Sequence, residues 1–373
     1  MVLANVILET AHMNMPHFHR TLETDQAARA CMTTIRSGKI VRNEALNSPL
    51  RALREIAHLL QNDPRTAEKV WVIGESHPPG SETGQVTAWP LWFSAKSRAS
   101  EKPLLYLTQS TTSAELSALV TEAAERGIFC NAIESTPSRW PKGAHPWLPL
   151  WLASNQRCLP FDPACNEEAR AVLLGALHAL YVEGRPGFCY LTLHDENLPR
   201  MANVPDTTAP FQGMYQVQDF ADGGPRPKVH LLGAGLQLRE VMAAAVLLDE
   251  YWGVQCAVWS CPSYTRLARD AAAAGRWNRL HPGAPRRTAH LHRCLPDKEV
   301  PIVAVTGYGE HIARQIGAHL SAPFCALGSD SLSAGHQPDR HWIVASGLGE
   351  LARLGHIATS MAEQAVAEAC RRH

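Results

Sequence analysis

One pattern repeats along the chain: a short apolar run rich in β-branched or aromatic residues, a capped amphipathic stretch, then another apolar run. Lys69–Ile73, Pro103–Leu107, Ile128–Ile133 and Phe188–Leu193 are runs of this kind, too short for helices and too continuous for half-exposed strands. They read as buried strands. The helices between them are marked by their starts. Ser48 precedes Pro49, an N-cap hydroxyl before a proline whose missing N–H costs nothing at the first helical position. Leu50, Leu53, Ala57 and Leu60 then recur on one face, and Asp63-Pro64 ends the stretch. Thr112 and Glu115 form a capping box ahead of Leu116, Leu119, Val120 and Ala123, with Gly127 expected to stop the helix. A further helix is expected over residues 166–182, closed by Gly184. Strand, helix and strand joined by short connections imply right-handed parallel crossovers.

From Leu198 to Pro227 the composition turns to Pro, Gly, Asp and Thr, which reads as a linker. The alternation then restarts with strand Val229–Leu232, a helix over 236–252 and strand Gln255–Trp259. Ile302–Val305 and His341–Ala345 are expected as later strands, with helices after Gly307 and around Leu348. The fold class is therefore α/β, with two tandem doubly wound domains. The expected divisions are an N-terminal arm at 1–45, a first domain at 46–197, a linker at 198–228 and a second domain at 229–373. The arm mixes Met, His, Thr and charge without a sustained period, so it is expected to be poorly packed or a helix that docks elsewhere.

Composition narrows the function classes. The 35 basic residues balance 35 acidic ones, leaving no net field to attract phosphate backbones or anionic lipid, so nucleic acid is not an expected partner. No apolar stretch reaches membrane-spanning length, and the N-terminus lacks the basic flank and long apolar core of a signal peptide. The ten cysteines form no Cys-x-x-Cys pair and several lie in strand-like runs, the pattern of a reduced, cytoplasmic protein.

Several local features carry chemistry on paper. Gly233-Ala-Gly235 follows a strand and opens a helix, but Leu238 stands where a dinucleotide site needs a third glycine. A nicotinamide-dependent oxidoreductase would rest on that feature alone. Asn278–Pro282, with Arg269, Asp270, Arg276 and Trp277, gathers donors, an imidazole and a carboxylate, yet equally suits a self-satisfied loop. His12, Met13, Met15, His17 and His19 could gather a soft metal, but no matching Cys/His set accompanies them, so no metal site is expected. His290 and His292 alternate as on one face of a strand. Pro141–His145 lies in a loop after a strand end, where α/β sites form, and makes His145 a candidate.

The second domain resembles the C-terminal domain of the homodimeric-type decarboxylating first component of pyruvate dehydrogenase, a transketolase relative. The carriers are Leu231–Glu240, Tyr251–Val254, Ala257–Asp270 and, most telling, Gly275–Pro282. Upstream, Tyr190–Pro199 looks like the strand that ends the family's middle, pyrimidine-binding domain, and Cys158–Ala164 precedes it as in the family. Weaker similarity reaches back to about Leu46. The resemblance implies a transketolase pyrimidine-binding-like domain followed by a transketolase C-terminal-like domain, paired in a homodimer.

It also implies a thiamine diphosphate cofactor held through Mg²⁺ by a separate domain, of which this sequence has no counterpart. The family's middle domain supplies a glutamate to the pyrimidine ring, whereas Gly84–Ser94 contains no acid; Glu75 or Glu82 would be a displaced substitute. The histidine-rich loop is reduced to Gly143–Trp147, leaving His145 as its survivor. Gly307 stands where the family has an acid, and Leu327–Asp330 begins a family motif whose continuation shortens to Ser331–Pro338. These departures imply a relative that binds no cofactor alone and has a regulatory or scaffold role. The alternative is a subunit of a split thiamine-diphosphate-dependent 2-oxo acid dehydrogenase, whose partner chain brings the missing domain.

Overall fold

In the computed structural model, the strand and helix runs assemble into two five-stranded sheets. The structure describes residues 20–38, 48–74, 101–135, 138–198, 208–220, 224–332 and 337–372. The first sheet contains β1 (Trp71–Ile73), β2 (Leu104–Thr108), β3 (Gly127–Asn131), β4 (Cys158–Phe161) and β5 (Phe188–Thr192), in the order β1-β2-β3-β5-β4 and parallel throughout. The second contains β6 (Tyr215–Asp219), β7 (Lys228–Gly233), β8 (Gln255–Ser260), β9 (Ile302–Val305) and β10 (Phe324–Leu327), in the order β10-β9-β7-β8-β6. Only β6 runs antiparallel to its neighbour.

Helices cover both faces of each sheet, as continuous apolar strands require. One face of the first sheet is packed by α1 (Leu22–Ser37), α2 (Pro49–Asn62) and α5 (Asn166–Leu177), the other by α3 (Ser113–Glu122) and α4 (Trp147–Ser154). The second sheet lies between α6 (Gln237–Trp252), α8 (Arg340–Arg353) and α9 (Thr359–Arg372) on one side and α7 (Tyr264–Leu280) on the other. The start signals act as expected. Ser48 Oγ accepts from the Arg51 N–H, and Leu50, Leu53, Ala57 and Leu60 are buried. Thr112 and Glu115 close their capping box in both directions. Removing a core side chain such as Leu53 would cost about 2–5 kcal/mol.

Four expectations need correction. His341–Ala345 is no strand: Asp339 accepts from the His341 and Trp342 N–H groups and starts α8 there, and the last strand is Phe324–Leu327. A short β-branched run cannot by itself distinguish a strand from one turn of a buried helix. His290 and His292 lie in a short helix, His290–Cys294. Gly127 does not end α3, which stops at Glu122 through positive-φ Ala124 and Glu125; Gly127 instead opens β3 at φ 113°. The 198–228 linker carries a short helix, Thr208–Gln212, and β6 among its described residues. Of the two readings of the arm, the docked helix is the one seen at Leu22–Ser37, where α1 buries Ala28, Cys31, Met32 and Ile35 against α5 and its continuation. All ten cysteines are free thiols and seven are buried. Among the described residues, no helix is long and apolar enough to cross a membrane.

Candidate functional site

The carboxyl ends of strands from both sheets meet at the junction of the two halves. On the first-sheet side, the chain leaving β3 makes two 3₁₀ turns, Ile133–Ser135 and Pro141–Gly143, which carry Glu134 and Lys142. Lys142 takes a left-handed conformation at φ 56°, and a Cβ at Gly143 would lie 2.3 Å from the Ile133 carbonyl oxygen. The second turn is thus pinned against the first by a close backbone approach that only glycine permits. Asp162 follows β4 directly. Its N–H donates to the Pro262 carbonyl at 2.7 Å, and its own carbonyl accepts from the Gly235 N–H at 3.0 Å, so this one residue is bonded to two turns of the second sheet.

These turns deliver a buried ion cluster. The Lys142 ammonium pairs with Glu134 Oε1 and, at 3.2 Å, with Asp162 Oδ1; the side chains are 4%, 4% and 9% exposed. It also lies 5.1 Å from the centre of the Tyr308 ring. The Tyr308 hydroxyl shares a 2.6 Å hydrogen bond with Thr192 at the end of β5. Burial pushes Glu134 up to about 7, with Lys142 opposing the rise and Asp162 adding to it. Asp162 is likewise raised by burial against the pull of Lys142. For Lys142, burial alone would favour the neutral amine, but the two carboxylates outweigh it and hold the ammonium above its ordinary range. The amine is therefore kept protonated, as an electrostatic group and not a nucleophile.

Gly307 acquires a physical reason here. A Cβ at that position would lie 2.8 Å from Lys142 Cδ, so the glycine makes room for the lysine stem. Gly235, at φ 53°, is held even closer: its Cβ would meet Asp162 Oδ1 at 2.3 Å. Both sequence glycines of the 233–235 turn serve contacts, since a Cβ at Gly233 would strike the Leu238 backbone at 2.9 Å. Leu238 itself is fully buried.

A second carboxylate crosses the junction on α5. Glu168 accepts from the Ser260 hydroxyl at 2.5 Å and from the Ala164 N–H, and burial pushes it up to about 7. His194, just beyond β5, is fully buried, and burial together with the Lys142 charge lowers its imidazole to about 3. It is neutral at physiological pH. Above the ion cluster opens a cleft of about 420 Å³ between the two halves, walled by Glu134, Trp140 and Lys142 on one side and Gln237, Arg239 and Gln337 on the other.

Other sequence candidates fall elsewhere. His145 is partly exposed; its Nδ1 accepts from the Trp147 N–H at 3.3 Å, and its ring meets Trp140 edge-on at 4.8 Å, outside the Lys142 cluster. Asn278–Pro282 forms a self-contained surface network. His281 stacks on Trp277 at 3.8 Å, Arg287 lies over Trp277 at 3.5 Å, and Asn278 bonds both the N–H and the carbonyl of Arg287. Asp330 accepts from the Glu310 N–H. The residues His12, Met13, Met15, His17, His19, Glu75, Glu82 and the stretch 84–94 lie outside the described residues. Among the described residues, no group of three His, Cys, Asp or Glu side chains is placed to hold a metal. Sequence reasoning had Lys142 and Asp162 inside quoted segments but did not pair them, and it missed Glu134 and Glu168. Proximity to strand ends was the only available signal.

Comparison with known proteins agrees with this architecture. The family profile described as the transketolase-like TK C-terminal domain matches residues 213–328. The pyruvate dehydrogenase E1 component of Cupriavidus necator is 33% identical over 58% of this chain and 25% of its own length. That of Pseudomonas aeruginosa is 32% identical over 59% of the chain and 26% of its own length. The chain thus spans about a quarter of the length of these curated relatives. Among solved structures, the transketolase of Leishmania mexicana superposes with a TM-score of 0.58 at 15% identity, covering 87% of this chain and 50% of the other. A chain described as "Split gene transketolase, inactive beta4 tetramer" superposes with a TM-score of 0.53 at 13% identity, covering 82% of this chain and 99% of the other. The fold is transketolase-like, including its C-terminal domain.

Proposed function

We propose, for a chain that is a distant homologue of the pyruvate dehydrogenase E1 component over its middle and C-terminal portions, a non-catalytic role as a regulatory or scaffold module. The observation that carries this reading is the Lys142 cluster. Where strand ends in an open α/β fold ordinarily present side chains to a ligand, the Lys142 ammonium is matched by Glu134 and Asp162 and packed against Gly307 and Tyr308. The groups at this junction bind the two halves of the chain to each other. A homodimeric assembly and a cytoplasmic location belong to the same proposal. Calorimetric titration of the purified chain with thiamine diphosphate and Mg²⁺ tests it: no heat of binding is expected, and saturable binding overturns it.

A second reading draws on length. This chain accommodates 99% of the split-gene transketolase chain, which is described as an inactive tetramer. By analogy, the present chain would be one subunit of a split 2-oxo acid dehydrogenase, with a partner supplying the diphosphate-binding domain and His145 as a catalytic candidate. Pyruvate decarboxylation on mixing with a chain that carries that domain would favour this reading over the first.

A further inference from the structure

We infer that the interdomain cleft above Glu134 is a binding site for a small organic cation bearing N–H donors, of the ammonium or amidinium class. The inference is independent of whether the chain takes part in catalysis.

The argument starts from what the cleft leaves unmatched. Glu134 Oε1 is paired to Lys142, but Oε2 has no hydrogen-bond partner. Gln237, only 7% exposed, donates through Nε2 to Gln337 at 3.0 Å, which leaves its Oε1 without a donor. Both residues line the cleft, from opposite halves of the chain. Two buried acceptors without donors call for an explanation.

The charge count has the same sign. Lys142 faces two carboxylates, Glu134 and Asp162, so with both ionised the floor carries one surplus negative charge. At the rim the charges are already matched: Arg340 holds Glu240 through bonds of 2.9 and 3.0 Å, Arg239 pairs with Glu196 at 2.7 Å, and Asp339 caps α8. What remains is negative and acceptor-rich. An anion would meet unmatched acceptors, whereas a cation with two or more N–H groups would satisfy Glu134 and Gln237 together. Trp140 supplies an aromatic wall, and the volume of about 420 Å³ suits a small molecule. Glu134 Oε2 lies just beneath the cleft surface, so seating requires a turn of its carboxylate.

Benzamidine is a suitable probe, with the isosteric benzoate and benzamide as sign and charge controls. Titration of the full chain, followed by calorimetry and tryptophan fluorescence, should show saturable binding of benzamidine and none of the other two. Glu134→Gln should weaken binding about tenfold or more. Gln237→Leu, which leaves the ion cluster intact, should also weaken it and guards against a folding artefact in the first variant. Binding should tighten from pH 6 to pH 8 as Glu134 loses its proton. The groups facing that carboxyl are Lys142, Asp162, Glu196 and Tyr308, and burial raises Asp162 in the same direction. Equal binding of benzamide, preference for benzoate, unchanged affinity in both variants, or displacement of benzamidine by thiamine diphosphate with Mg²⁺ would each overturn the inference. Thiamine diphosphate binding that leaves benzamidine in place would overturn only the non-catalytic reading.

Discussion

The first half of the chain sends buried carboxylates toward the second half at two places, and the two are solved differently. Around Lys142, a cation sits between Glu134 and Asp162, and the cluster is one positive charge short. Around Glu168 no cation is paired with the carboxylate, which is held by the Ser260 hydroxyl and the Ala164 N–H. Both Glu134 and Glu168 are pushed up to about 7 by burial. The comparison shows that one shared cation and two neutral donors compensate desolvation to a similar, incomplete degree. The difference lies in what failure costs: losing the cation strands two charges, while losing a hydroxyl strands one hydrogen-bonding site.

The sharpest way to break the comparison is Lys142→Met. It should destabilise the chain by about 3–5 kcal/mol at pH 8, as read by chemical denaturation, because it leaves two uncompensated buried carboxylates. The deficit should shrink toward pH 5 as those groups take up protons. An equally large loss from Ser260→Ala would erase the distinction; about 1–2 kcal/mol is expected there.

The next effect is the pH dependence carried by Glu168. Its folded value of about 7 lies above the ordinary glutamate value of 4.5, so between these values the folded state binds more protons than the unfolded one. Stability is therefore greatest below about 4.5 for this group and is lost as pH rises through 7, by on the order of 3 kcal/mol. Glu168→Gln should flatten that part of a stability profile measured from pH 5 to 8, and an unchanged slope would remove Glu168 from the account.

Gly235→Ala comes third, at about 2–3 kcal/mol of lost stability, since it combines a positive φ with a collision on Asp162. Gly307→Ala should cost less, about 1 kcal/mol, because the atom it meets is on the flexible Lys142 stem. The smallest effect is expected at the surface. Asn278→Ala removes two exposed hydrogen bonds to Arg287 and should shift thermal unfolding by no more than about 0.5 kcal/mol equivalent.

Much of the fold was legible because its signals are local. Ser48-Pro49 and the Thr112–Glu115 box act within one helical turn, and the strands at 104–108, 188–192 and 302–305 are apolar runs bounded by turn residues. The misreadings arose where two local signals competed. At 341–345 a β-branched run outweighed the Asp339 cap, and at 215–219 the polar sequence Tyr-Gln-Val-Gln-Asp hid a strand that is largely exposed along its length. The candidate site was the least legible part. Glu134, Lys142 and Asp162 meet only because two separate turns and a third strand end converge, and Glu168 finds Ser260 across the junction. Nothing in spacing along the chain encodes such encounters. Gly307 stood out in the sequence only through the resemblance, and its meaning required Lys142 to be seen packed against it.

The placement of β6 decides where this chain can be divided. It precedes β7 in sequence yet lies beyond β8, bonded antiparallel from Tyr215 opposite Ser260 to Asp219 opposite Ala257. A fragment starting at Lys228 would contain every parallel strand of the second sheet but would bare the flank of β8, whose apolar residues 256–259 would then offer open backbone donors and acceptors to any passing chain. A fragment starting at Gly213 would bring its own shield. Proteolysis or engineering that respects this difference should yield soluble material, and cleavage fifteen residues later, at 228, should yield aggregates.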